Sequence, residues 1–102
     1  MYRQGDVLIV PRKKPIPKAA PRAEENGQAV LAHGEATGHS HAFPRGAQVL
    51  FYRDTEGAYL EVKEAPAPLK HEEHATVVLP PGLYDVLRQT EYTPQELRNV
   101  AD

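Results

Sequence analysis

The hydrophobic positions fall in short runs, rich in β-branched residues or strictly alternating, at roughly ten-residue spacing with turn residues between them. Asp6-Val7-Leu8-Ile9-Val10 ends at Pro11 and predicts a well-buried first strand. Gln28 to Ala32 resumes as a strand, and Ala47 to Arg53 predicts another. Ala58-Tyr59-Leu60-Glu61-Val62-Lys63 alternates cleanly, with Ala58, Leu60 and Val62 inward and Tyr59, Glu61 and Lys63 outward. Ala65-Pro66-Ala67-Pro68 breaks that run. Ala75 to Leu79 and then Leu83 to Tyr92 complete the set. Asn26-Gly27, Pro44-Arg45-Gly46, Asp54 to Gly57 and Pro80-Pro81-Gly82 read as turns. Thr93-Pro94-Gln95-Glu96 has the form of a capped helix start, with room for about two turns after it. The pattern predicts an all-β fold: a small antiparallel barrel or sandwich of six to seven strands with a short C-terminal helix.

A chain of 102 residues has length for one modest core, so residues 1–102 are expected to form a single β domain. Four prolines, Pro11, Pro15, Pro17 and Pro21, space a lysine-rich segment that suits neither helix nor inner strand, and residues 11–27 are expected to be a mobile loop. Residues 1–22 carry six Lys/Arg against one Asp, and the rest carry six against thirteen Asp/Glu. A basic arm on an acidic body is drawn to its own domain, whose charge repels phosphate, so nucleic acid is not the expected partner. There is no cysteine, which excludes disulfides and thiolate ligands. The apolar run Val7–Val10 is too short for a signal peptide or a membrane span, and a cytoplasmic protein is expected.

The candidate chemistry is histidine. Four of the five histidines fall in two clusters, His39-Ser40-His41 and His71-Glu72-Glu73-His74, with His33 just upstream of the first. Neutral imidazole is the commonest protein ligand for zinc, nickel, iron and copper. If His33–Phe43 were extended throughout, His33, Glu35, Thr37, His39, His41 and Phe43 would share one face; Gly34 and Gly38 permit bends, so alternation secures only the His39/His41 pairing. His71 and His74 have odd spacing and converge only on a turn of helix or a loop. The expected metal ligands are His39, His41, His71 and His74. Glu35, Glu72 and Glu73 are the candidate carboxylates, to orient a ligand imidazole or to act as general base on metal-bound water. His-Glu-Glu-His is not the His-Glu-x-x-His protease motif, and no long helix is available to carry one. The bland alternatives are an outward pH-sensitive polar patch for His39/His41 and a solvated loop for residues 71–74.

Arg3-Gln4-Gly5-Asp6-Val7, Gly34-Glu35-x-Thr37-Gly38-His39-x-His41, His71-Glu72-Glu73-His74, Leu79-Pro80-Pro81-Gly82-x-Tyr84 and Arg88-Gln89-x-Glu91-Tyr92 together resemble a set of small proteins encoded in bacterial and phage genomes. That resemblance implies no activity. His-x-His with Gly34 before it also resembles the first motif of cupins, small metal-holding β-barrels. It departs from them in lacking a glutamate after His41 and in placing Pro80-Pro81-Gly82 after His74. The order of a short apolar strand, a loop and a Gly-x-Val-Leu-Ala-like strand is similar to the co-chaperonin ring protein. The resulting expectation is a β protein holding a divalent transition metal (zinc, nickel, iron or copper) through its histidines. No reaction or small-molecule ligand is named by the residues. The competing class is a metal-free interaction module that uses the basic loop or an exposed strand edge to bind a partner or to form a homodimer.

Overall fold

The structure is a computed structural model that describes residues 1–34, 38–91 and 93–96. Its described residues contain nine strands: β1 (Tyr2–Gln4), β2 (Val7–Pro11), β3 (Val30–His33), β4 (Ser40–Ala42), β5 (Val49–Arg53), β6 (Ala58–Val62), β7 (Ala67–Leu69), β8 (Val77–Leu79) and β9 (Gly82–Arg88). Five form one antiparallel sheet in the order β1-β2-β9-β6-β5, and β3-β4 and β7-β8 are antiparallel pairs. Ala42 and Lys70 exchange backbone hydrogen bonds of 3.0 and 2.9 Å, which join the two pairs edge to edge. The all-β expectation holds, in the open, sandwich-like form rather than as a closed barrel.

The core lies between these layers. Val7 and Ile9 of β2, Phe51 of β5, Leu60 and Val62 of β6, and Tyr84 and Val86 of β9 meet Leu31, Leu69 and Leu79 from the paired strands and Phe43 just after β4. Burying so many large apolar side chains, at ~1.5–3 kcal/mol each, is what holds the small strands in register. Leu60 and Val62 face inward as their alternation predicts, while Tyr59 is also buried although it points the other way. Its ring is covered by the Arg12 guanidinium at 5.0 Å, and its hydroxyl donates to Asp54 Oδ1 at 3.2 Å.

Several boundaries differ from the sequence expectation. There are nine strands rather than six or seven, because the three-residue strands β1, β4 and β7 are too short to show periodicity. His33 to Phe43 is not one extended strand. It folds back as the β3-β4 hairpin, with His33 opposite Ser40, Ala32 opposite His41, and Gly34 N–H donating to His39 O at 2.8 Å. Ala67-Pro68-Leu69 pairs with β8, so the proline pair ends at Pro66 as a break. The last strand stops at Arg88 and passes into a 3-10 turn at Gln89–Glu91; Tyr92 lies outside the described residues.

The turn chemistry read from sequence is present. Asn26 (φ 51°) and Gly27 (φ 78°) form a two-residue turn closed by reciprocal Glu25–Gln28 backbone bonds. Thr93 and Glu96 make both bonds of a capping box, at 2.8 and 3.2 Å, and the continuation beyond Glu96 lies outside the described residues. In the proline segment, Arg12 pairs with Asp85 at 2.7 Å. Farther on, Ala23 N–H donates to Phe51 O at 2.8 Å and Arg53 N–H to Pro21 O at 3.1 Å. No described helix is long and apolar enough to cross a membrane.

Candidate metal centre

Three short pieces of chain bring the site together. His39 immediately precedes strand β4 and His41 is its central residue, with Ser40 and Ala42 on the opposite face from His41. The Ala42–Lys70 bridge then holds the end of β7 against β4, so the residues after Lys70 emerge beside His41. Residues 71–76 are an irregular loop between β7 and β8, which lets His71 and His74 converge despite their odd spacing. The β1-β2 turn, Gly5-Asp6, closes the third side.

His71 is the hub. Its ring centroid lies 4.3 Å from that of His41, 4.7 Å from His74 and 5.7 Å from His39, and His41 and His74 stack at 6.1 Å. The two clusters, some thirty positions apart in sequence, therefore meet. His33 does not join them; it is exposed and pairs with Glu25 at 2.9 Å.

Within this row of rings, one set of donors lies closest: ligand atoms of His39, His71 and Glu72 all fall within 4.8 Å of one another. A formed tetrahedral zinc site with ~2.0–2.1 Å bonds spaces its donors about 3.3 Å apart, so the set must contract by about 1.5 Å at most. His39 and His71 are half-buried and Glu72 is exposed, all on loop or strand-end backbone that leaves the side chains room to move. Glu72 Oε1 accepts the Ser40 N–H at 2.9 Å, which holds the carboxyl below its usual range. The other carboxylate oxygen remains for a ligand. Glu73 comes within 3.8 Å of His39 Nδ1, the place of an orienting partner. Glu35 lies outside the described residues.

His41 is the most constrained of the rings. It is 3% exposed, and its Nδ1 lies 2.9 Å from Gln4 Oε1. Gln4, itself 2% exposed, donates its amide N–H groups to Leu69 O at 2.8 Å and Ala75 O at 3.0 Å. Those two carbonyls fix which end of the amide faces the ring, so Gln4 presents an acceptor and His41 Nδ1 carries the proton. The Nε2 lone pair is left free, 3.8 Å from Asp6 Oδ1. Burial first, and then the neighbouring His71 charge, push His41 down to about 4, with Asp6 opposing. It is neutral at pH 7, the form a metal requires. Burial pushes Asp6 up, but the hydrogen bonds from Arg88, at 2.8 and 3.1 Å, and its charge outweigh that and hold Asp6 below its ordinary value.

Two details qualify a simple four-histidine site. His71 Nδ1 accepts the Glu73 N–H at 3.0 Å, so a neutral His71 carries its proton on Nε2. Coordination through either nitrogen would displace that bond and require the Glu73 peptide to shift. Secondly, a Cβ on Gly5 would lie 2.8 Å from His74 Nε2 and 3.3 Å from His41 Cε1. The rings pack directly on the Gly5 backbone.

Sequence reasoning missed Gln4, Gly5 and Asp6 as parts of this site. The one signal was their place in the Arg3-Gln4-Gly5-Asp6-Val7 motif. No curated protein and no solved structure matches the chain. Gln4, Asp6, the four clustered histidines and Arg88 all lie within residues 3–89, and this is the stretch that matches the family described as a domain of unknown function (DUF8820), to which the chain belongs.

Proposed function

We propose that this protein binds a divalent transition metal at the meeting point of its two histidine clusters. His39, His71 and Glu72 act as the principal donors, and His41 and His74 are the adjoining imidazoles that extend the shell. The observation that carries the reading is the approach of those three donors within 4.8 Å across the β4/β7 junction. Two imidazoles and one carboxylate with further positions open is a set that suits iron(II), and it also accepts zinc or nickel. The buried, neutral His41 with its proton fixed on Nδ1 supports the same reading, because a ligand imidazole commonly donates its other N–H to an acceptor just as His41 does to Gln4.

The test is elemental analysis of protein purified without a metal-affinity tag, before and after chelator. About one metal per chain, lost in a His39→Ala/His71→Ala double variant, supports the site. The competing reading, a metal-free interaction module, draws on the exposed Val78 (57%) of β8 and Met1 (59%) beside β1. Absence of metal together with unchanged melting in chelator would favour it.

A further inference from the structure

The proposed donors His71 and Glu72 are also wall residues of a groove of about 330 Å³, which runs past Ser40 and Lys70 to an apolar side formed by Phe43 and its neighbours. This volume is at the small end of ligand sites. Lys70 is exposed, and its ammonium has no carboxylate partner among the described residues. Its backbone is held by both hydrogen bonds to Ala42, so the side chain springs from a fixed point. Ser40 gives its N–H to Glu72, which leaves its hydroxyl as a donor on the groove wall. With a divalent ion on His39, His71 and Glu72, the charges of Glu72 and Glu73 would balance that of the ion, and the Lys70 ammonium leaves this end of the groove net positive. An apolar wall, one hydroxyl donor, one uncommitted ammonium and an open metal position describe a receptor for a small organic carboxylate.

We propose that this groove binds such a carboxylate, with one oxygen on the metal and its charge matched by Lys70. The assignment rests on the metal reading above and adds to it a ligand class and a residue that recognises it.

Zinc is first titrated into the metal-free full chain by calorimetry, and benzoate is then titrated into zinc-loaded and metal-free protein. Benzoate is expected to bind the loaded form and to bind the metal-free form about tenfold more weakly or worse. Lys70→Gln should weaken benzoate about fivefold while leaving zinc affinity unchanged, and Lys70→Arg should restore it, since one partly exposed charge pair contributes about 1 kcal/mol. Inorganic phosphate, run in parallel, should bind no more tightly than benzoate. Failure of zinc to bind removes the metal reading and the groove assignment with it. Zinc uptake with benzoate binding indifferent to Lys70 or to the metal overturns the groove assignment alone, and tighter phosphate binding overturns the carboxylate class.

Discussion

Gln4 Oε1 stands 2.9 Å from His41 Nδ1, and the amide that carries it is clamped by Leu69 O and Ala75 O, the carbonyls on either side of the His71–His74 loop. One buried glutamine thus joins β1, β4 and the loop, and it selects the tautomer of the ring it touches. Removing it by Gln4→Met takes away the amide bonds to the Leu69 and Ala75 carbonyls and leaves the buried His41 N–H without its acceptor, a cost of about 1–3 kcal/mol in stability. In the metal-free protein, nitrogen-15 NMR of His41 should show the proton on Nδ1. A proton on Nε2 would show that the amide does not set the tautomer.

The depressed pKa of His41 predicts a pH dependence of stability. The unfolded ring titrates near its ordinary 6.5 and the folded one at about 4, so the unfolded chain binds the proton more readily. The stability held by neutral His41 is complete above about pH 6.5 and is lost as pH falls towards 4, for about 3 kcal/mol in all. Asp6, Glu24 and Glu72, each held below the ordinary carboxylate value, add losses only at the lower end of that window and beneath it. Chelator-treated protein should therefore melt progressively lower from pH 7 to pH 4.5, and His41→Gln should flatten the upper part of that fall. An unchanged slope in His41→Gln would remove His41 as its source.

What was legible in the sequence follows from the range of the forces involved. Strands β2 and β6 and the Asn26-Gly27 turn were legible because local periodicity and turn geometry dictate them. The convergence of His39, His41, His71 and His74 was expected from clustering alone, although the route by which they meet was not. That route is a single backbone bridge, Ala42 to Lys70, which no local pattern encodes. The β3-β4 hairpin was left open by the sequence, because parity alone would put odd-numbered His33 and His41 on one face while Gly34 and Gly38 permit a bend; the antiparallel pairing of His33 with Ser40 decides it, and His33 stands apart from the cluster. Gln4 was invisible for a related reason. A glutamine near the chain start reads as surface, and only the tertiary placement of β1 against the β7-β8 loop buries it.

Gly5 tests the packing of the rings. Its φ of +57° costs an L-residue about 1–2 kcal/mol, and any Cβ there meets His74 and His41. Gly5→Asn relieves much of the backbone cost, because asparagine tolerates this region, but keeps the Cβ. Metal affinity is expected to fall in both Gly5→Ala and Gly5→Asn, whereas melting temperature should fall mainly in Gly5→Ala. Full metal affinity in Gly5→Asn would show that His74 and His41 can retreat without consequence.

The proline segment tests the expected mobility of residues 11–27. Its contacts are concentrated at Arg12 and between Ala20 and Glu25, which leaves Lys13 to Ala19 mostly exposed between two anchors. Limited trypsin digestion should cut first after Lys13 and Lys18. Arg22, held by Glu24 at 2.7 Å, should resist, and Lys14 is protected by the proline that follows it. Early cleavage after Arg22 would show that the anchor along β5 is not formed.

Metal-induced stabilisation separates the contributions of the histidines. A ligand at one hundred times its dissociation constant stabilises the folded state by about 2.7 kcal/mol, which in a domain of this length raises the melting temperature by roughly 10 °C or more. Zinc or nickel should produce that shift in wild type and almost none in His71→Ala, since His71 alone touches all three other rings and also belongs to the closest donor set. His74→Ala should retain part of the shift, because His74 touches His71 and His41 but lies outside that set. Glu72→Gln keeps the shape and the Ser40 contact while removing the charge, so it should lose most of the shift with little change in the metal-free melting temperature. Equal shifts in wild type and His71→Ala would place any bound metal elsewhere on the molecule.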